Sequence, residues 1–564
     1  MKTVIVGGVA GGASAAARLR RLDEQAEIVM FERGEYISFA NCGMPYYVGG
    51  TIQKKSALLL QTPESFYRRF RVDVRVLSEV TAVNKEEKTV TVKNVRTGEV
   101  YTESYDKLIL ATGTKLVRPP IAGIDNPRVF TLRDIPDTLK IRNFIEEKKP
   151  SRAVVIGGGF SGVEMAENLR AAGLAVAVVD IAAHLIVQID QDMASELHRC
   201  MQRNGVELYL NQGVQSIRGK EGEPLCIETT KCTLTADMVV FTAGGRPDTE
   251  LAQNAGLTCN SFGAIITDEQ MLTSDSDIYA VGDAVEITNF VTGQKGYIPM
   301  AGPANRQGRI AADNICGLGS RYIGTQGSSV MKIFDMTLAF TGLSENAAKT
   351  AGMDYDKIFT YSPSHAGYYP GGKNMSVKTV YEKSTGRILG AQLFGFDGVD
   401  KRCDVFAVAI RGKMTAYDLA QLELCYAPPY SSAKDPVNMA GFVIENTLTG
   451  KVKNFHWHDV AGLPRDGSVT LLDVRTDEER AAGYIEGFIH IPLDELRGHI
   501  HELDKSKPIY VHCHSGLRSY IACRLLTGYG FNCYNLSGGY RLYESVVADH
   551  AVADHSCSAC EQLS

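Results

Sequence analysis

The 564-residue chain lacks the continuous apolar run of roughly 18 residues that a membrane-spanning helix requires; its longest apolar stretches are strand-sized and broken by glycine. It also lacks a strong charge of one sign. With 59 Lys and Arg against 65 Asp and Glu, the formal charge is −6, so nothing draws nucleic acid or an anionic membrane to the whole surface and any cationic site must be local. A disulfide framework is missing as well. The 13 cysteines are an odd, scattered set, which argues against a stapled secreted fold and for a reducing compartment. No leader pattern precedes the first strand, into which Met1-Lys2 runs directly. These absences predict a cytoplasmic protein without nucleic-acid or membrane partners, and the length predicts about four domains at roughly 150 residues each.

Glycine, by contrast, is plentiful, and two clusters of it share one pattern. "KTVIVGGVAGGASAAARLRRL" reads as a β-branched strand, a turn with Gly7, Gly8, Gly11 and Gly12, and an alanine-rich helix. Such glycines let the backbone approach a pyrophosphate, whose charge rests on free amides at the helix N-terminus. Val9 takes the middle glycine position of the usual G-x-G-x-x-G, but Glu32 closes the next strand 20 residues past Gly12, where an acid would hold a ribose hydroxyl. The unit recurs at "SRAVVIGGGFSGVEMAENLRAAG" with a full set, Gly157, Gly159 and Gly162, and with Asp180 in the ribose position. The next residues, "IAAHLI", hold no Arg or Lys for a 2′-phosphate, which favours NADH over NADPH; an arginine from elsewhere in the chain would readmit NADPH.

Two apolar strands that end in glycine, "YDKLILATGT" with Thr112 and Gly113 and "SDIYAVGDA" with Asp283, complete the pattern. With them, residues 1 to about 445 resemble the pyridine nucleotide-disulfide oxidoreductase family of flavoproteins. The resemblance implies FAD in the first unit, the nicotinamide in the second, and contact between Asp283 and the flavin ribitol. It places an FAD-binding domain at 1–115 and 250–322, an NAD-binding domain at 116–249 and a dimerisation domain at 323–445, and hence a homodimer.

In "SFANCGMPYY" one cysteine stands where relatives that reduce internal disulfides carry two. With no second thiol in reach along the chain, oxidised Cys42 is a mixed disulfide with an outside thiol, a persulfide or a sulfenic acid. The segment is similar to coenzyme A disulfide reductases, in which this cysteine pairs with CoA. That similarity assigns Ser14, Arg18, Arg21, Ser38 and Asn41 to CoA, with Arg18 and Arg21 spaced to share one helix face. The family's lysine in "FYRRFRV" falls on Phe70, leaving Arg69 and Arg71 as substitutes. It also implies that Tyr368 and Tyr426 reach the partner subunit's active site, where a phenol hydrogen-bonds sulfur or donates a proton; Tyr369 competes with Tyr368 for that assignment. Flavin NADH oxidases and peroxidases, which cycle a lone cysteine through sulfenic acid, usually carry a histidine where this chain has Ala10.

After a linker at 446–466, the run "VTLLDVR", "GYIEGFIHIPLDEL" and "PIYVHCHSGLRSYIACRLL" resembles a rhodanese domain over 455–550. The six residues from Cys513 to Arg518 wrap backbone amides around one sulfur, and Arg518 adds positive charge, a cradle for a thiolate or persulfide. Related phosphatases use a loop one residue longer, so the short loop argues for sulfur. Asp473, Arg475 and His490 brace the module; His512 and His514 alternate in direction and form no metal site, and His456 and His458 have no chemistry. Cys557 and Cys560, in the tail 551–564, lack the context of a redox or metal pair. The expected fold is α/β: two Rossmann-like dinucleotide-binding domains, an α+β dimerisation domain and a C-terminal α/β rhodanese domain. The resemblances imply electron flow from NADH through FAD and Cys42 to CoA persulfide, polysulfide or CoA disulfide, with Cys513 handling sulfane sulfur and no metal. An NADH oxidase or peroxidase, or a sulfane-sulfur sensor, is the alternative.

Overall fold

The computed structural model describes residues 1–555 and falls into two compact units: Met1–Val179 with Gly213–Gly327, and Asp180–Gln212 with the residues from Ser328 onward. In the first unit, Ile278–Ala280, Lys107–Leu110, Lys2–Val6, Glu27–Phe31 and Asp73–Arg75 lie side by side in one all-parallel sheet. Val4, Ile5, Val29, Met30, Leu108 and Ile109 are essentially inaccessible, as expected of parallel strands covered on both faces. A second parallel sheet runs Ala175–Val179, Arg152–Ile156, Met238–Phe241, Val129–Thr131. Each sheet sends its first strand through a glycine turn into a helix, Ala10–Leu22 and Phe160–Ala171.

The helix Ala10–Leu22 packs closely on Ala301–Ile315. Gly308 makes this possible, because a Cβ there would sit 2.2 Å from the carbonyl oxygen of Gly11. Arg18 also joins the two helices, its Nε donating to Asp313 Oδ1 at 2.6 Å.

The second unit holds a five-stranded antiparallel sheet, ordered Ser329–Ile333, Met336–Gly342, Ile388–Gly395, Asn374–Glu382, Tyr355–Pro363, on which Val399–Arg411 and Pro436–Leu448 pack. It also holds a parallel sheet ordered Asn454–Phe455, Cys533–Leu536, Ile509–His512, Thr470–Asp473, Ile489–His490, with its own apolar core. The helix Gln191–Arg203 packs on the last helix, Gly539–His555. Ser195 Oγ meets Ser545 Oγ at 2.9 Å, and His198 Nδ1 meets Asp549 Oδ1 at 2.8 Å. Beneath this contact, fully buried Lys378 donates to Asp192 (2.9 and 2.8 Å) and Glu345 (2.9 Å) and lies 3.0 Å from Asp190. Among the described residues, no helix is long and apolar enough to cross a membrane and no group of three or more His, Cys, Asp or Glu could hold a metal ion. Cys557 and Cys560 lie outside the described residues.

Candidate active site

The first glycine turn has the form of a nucleotide cradle. A Cβ on Gly12 would lie 1.9 Å from Gly7 O, so helix and strand meet only because that position is bare. Glu32 accepts from Gly8 N of the turn and from Gly34 N, two residues beyond itself, at 2.9 Å each. Gly162 repeats the close approach at the second turn, 1.8 Å from Gly157 O, whereas a Cβ on Gly159 would meet nothing within 4 Å. The second turn thus leaves open space at Gly159, the first brings strand and helix together on bare backbone, and the residues fit a nicotinamide nucleotide and FAD. Asp180 directly follows the strand Ala175–Val179, and its Oδ1 accepts from Ala182 N at 2.7 Å. Thr112 Oγ1 donates to Asp248 O at 2.5 Å beside Gly113. Asp283 sits in the short turn Gly282–Ala284, its carboxyl pushed up by burial despite the opposing charge of Arg133. Arg133, which the sequence reading missed, also bonds Thr114 O.

Cys42 lies in the turn Asn41–Gly43, just before the helix Met44–Val48, and is exposed, as is Asn41. Although the residue is exposed, partial desolvation and then the charge of Glu164 push its thiol up. Glu164 is a second residue the sequence reading missed. Its carboxyl is pushed up to about 7 by burial and by Glu167, three residues on. Both acids stand in "GVEMAEN", so the like-charge i,i+3 pair just after Gly162 was the available signal.

Ser14, Arg21 and Ser38 meet in one cleft of about 390 Å³, together with Gln61, Asn305 and Arg309 and an apolar wall that includes Phe66 and Phe70. Ser14 Oγ donates to Asn305 Oδ1 at 2.6 Å. Ser38 holds a left-handed backbone, φ 44°, at the cleft, an unusual conformation of the kind found at ligand sites. Two arginines and no acid line the space, which suits an anionic ligand. Arg18 is not among the lining residues; its partner is Asp313. Arg69 and Arg71 do not line it either, whereas Phe70, at the family's lysine position, does. Asn305 and Arg309 sit four apart on Ala301–Ile315, a spacing visible in "GPANRQGR" but carrying no meaning until the two helices are packed together.

In the second unit, Tyr368 and Tyr426 are brought together, their hydroxyls 2.8 Å apart on exposed side chains. Cys513 follows the strand Ile509–His512 and is fully buried. Its Sγ accepts from Gly516 N at 3.1 Å and from Ser519 Oγ at 3.3 Å. Gly539 lets the next helix close over the loop, since a Cβ there would lie 2.7 Å from Cys513 O. Tyr540 N then donates to Cys513 O at 2.8 Å. Ser519, which the sequence reading passed over, was marked only by following Arg518 directly. Arg475 clamps Asp473 through Nε (3.0 Å) and Nη2 (2.8 Å), and His490 Nε2 lies 2.9 Å from Arg475 O. His512 is buried behind the loop with its ring held neutral by desolvation, its pKa down at about 4. His456 and His458 stack, and His456 lies 3.6 Å from Asp356.

Residues 1–308 match the family described as pyridine nucleotide-disulphide oxidoreductase, residues 328–436 its dimerisation domain, and residues 457–545 the rhodanese-like domain. The chain is 34% identical over 442 residues to a coenzyme A disulfide reductase of Staphylococcus epidermidis, covering 78% of this chain and 99% of that one. It superposes on the reduced CoADR-RHD of Bacillus anthracis with a TM-score of 0.94 at 48% identity, covering 97% and 98% of the two chains. Against an NAD-dependent persulfide reductase from A. fulgidus the TM-score is 0.90 at 36% identity, covering 96% and 100%. The chain therefore belongs to the pyridine nucleotide-disulphide oxidoreductase family, with a rhodanese-like domain following its dimerisation domain.

Proposed function

We propose that this protein is an FAD-dependent reductase that passes electrons from NADH through Cys42 to CoA persulfide or polysulfide and to CoA disulfide, while Cys513 handles sulfane sulfur. The observation that supports this reading best is the cleft. Arg21, Arg309, Ser14, Ser38 and Asn305 offer cations and hydrogen bonds to the phosphate-bearing end of CoA, and Cys42 follows Ser38 by four residues, a reach of at most about 14 Å. FAD, when bound, supplies the chemistry of taking a hydride from NADH and returning its electron pair to sulfur.

The Cys42 thiolate attacks the inner sulfur of CoA–S–SH; the S–S bond breaks, hydrosulfide leaves, and Cys42 and CoA share a mixed disulfide. Two electrons and one proton then restore the Cys42 thiolate and free CoA thiol. Tyr368 and Tyr426, hydrogen-bonded to each other on the surface, are the phenols proposed to serve this sulfur chemistry in a homodimer. Glu32, Asp283, Thr112 and Gly113 are assigned to FAD, Asp180 with Gly157, Gly159 and Gly162 to the nicotinamide nucleotide, and the Gly516 and Ser519 donors to Cys513 sulfur.

The test is anaerobic NADH oxidation by the intact protein with CoA persulfide and with CoA disulfide. The expected result is a persulfide preference in kcat/KM of at least about tenfold, or about 1.4 kcal/mol, and loss of both activities in Cys42→Ser. Preference for the disulfide would make this a thiol-redox enzyme with an accessory rhodanese domain. Turnover of neither substrate would remove CoA from the reading.

A further inference from the structure

The arginine that closes the sulfur loop is already engaged. Arg518 Nη2 donates to Glu479 Oε1 at 2.6 Å, and both side chains are about one-third exposed, at the mouth of the loop rather than in the core. Glu479 is held in turn: Oε2 accepts from Thr476 N at 3.1 Å in the capping box of Asp477–Ala481. Arg518 keeps its carboxyl below the usual range, so at neutral pH the pair is ionised.

The other cations around the loop have partners as well. Arg475 is spent on Asp473, Arg480 Nη2 donates to Phe488 O at 3.0 Å, and Arg541 lies 3.7 Å from Glu196. His514, inside the loop, is held below its ordinary pKa by desolvation. What faces the Cys513 sulfur is therefore two neutral donors, Gly516 N–H and Ser519 O–H, with the loop's guanidinium offset by a carboxylate at its edge.

We propose that Glu479 determines the sulfur donor: by offsetting Arg518 it selects thiol persulfides, which bring at most one negative charge on the reacting sulfur group whatever the rest of the molecule carries, over thiosulfate, whose two charges both lie on that group. The inference deepens the assignment of Cys513 to sulfane-sulfur transfer and rests on it. With a persulfide R–S–SH, the Cys513 thiolate attacks the terminal sulfur, the S–S bond breaks, R–S⁻ leaves and Cys513 becomes a persulfide; one negative charge stands on each side. With thiosulfate the same attack expels sulfite, and three negative charges must be held beside one guanidinium already shared with Glu479.

The experiment uses the full chain as wild type, Glu479→Gln and Glu479→Asp, with thiosulfate or glutathione persulfide as donor and cyanide as acceptor, reading thiocyanate at low and high salt. Glutamine keeps the acceptor for Arg518 and removes only the charge; aspartate keeps the charge. The expected result is a wild type that favours persulfide and a Glu479→Gln variant whose thiosulfate-to-persulfide ratio of kcat/KM rises about tenfold or more, less so at high salt, while Glu479→Asp stays with the wild type. An unchanged ratio in Glu479→Gln, an equal shift in Glu479→Asp, or a wild type that already favours thiosulfate would overturn the proposal. The underlying assignment fails separately: if neither donor adds a sulfur atom to wild-type Cys513 by mass spectrometry, with Cys513→Ser as reference, sulfur transfer at that residue falls and the specificity proposal falls with it.

Discussion

Glu164 alters the chemistry expected of Cys42. A lone cysteine in a glycine-rich turn suggests a ready thiolate, but the protein around it works the other way, through desolvation and then the Glu164 charge. Glu164→Gln removes that charge, and the pH midpoint for alkylation of Cys42 in the flavin-loaded protein is expected to move down, with Cys42→Ser as the background. Because the Glu164 carboxyl is itself pushed up to about 7, the charge acts above that pH and fades below it, so wild type and variant should converge in acid. Identical midpoints above pH 7 would show that Glu164 does not act on the thiol. The residue was in view in the sequence, two positions beyond Gly162; its nearness to Cys42 was not, because the two are 122 residues apart along the chain.

At the scale of elements, the helix pair Ala10–Leu22 and Ala301–Ile315 builds the cleft, and it rests on a bare backbone position. Gly308→Ala would press a Cβ to 2.2 Å from a backbone oxygen that cannot swing aside. The expected cost is roughly 1–3 kcal/mol or more, with lower retained flavin, measured by thermal unfolding and by absorbance of the purified protein. Unchanged stability and flavin content would mean that the helices can separate. The glycine turns, the strand and helix on either side of each, and the sulfur loop were legible because each depends on neighbours in sequence. The engagement of Arg18 by Asp313 was not, because a spacing of three says that two arginines share a face and nothing about what that face meets.

At the scale of the whole molecule, the second unit is tied together by buried charge. Lys378 faces Asp190, Asp192 and Glu345, contributed by segments far apart in the chain, and Trp457 Nε1 also reaches Asp192 Oδ2 at 3.3 Å. Lys378→Met leaves these carboxylates buried without their cation, and a loss of about 3–5 kcal/mol is expected by chemical denaturation at pH 7. Acid should act on the same cluster. Burial alone would raise the Glu345 carboxyl, but Lys378 and Lys357 outweigh it and hold it at about 2, against an ordinary value of 4.5. A lowered folded-state pKa contributes stability that is present above about 4.5 and is lost as pH falls toward 2. The denaturation midpoint of the wild type should therefore decline across that window, and that of Lys378→Met should decline less; parallel declines would place the acid sensitivity elsewhere.

Local chemistry by itself determined that this chain forms two strand–glycine–helix units and a sulfur-loop module, whereas the dimerisation domain was read from the resemblance to a family. Periodicity, turn glycines and loop length act between residues close in sequence, and a short stretch suffices to express them. Only the tertiary structure decided which side chains those elements would share. Asn305 and Arg309 join Ser14 and Arg21, Glu164 comes near Cys42, Glu479 pairs with Arg518, and Lys378 gathers three acids. Charge and hydrogen bonding act through space over a few ångströms, and the order of residues along the chain does not contain those distances until the elements have packed.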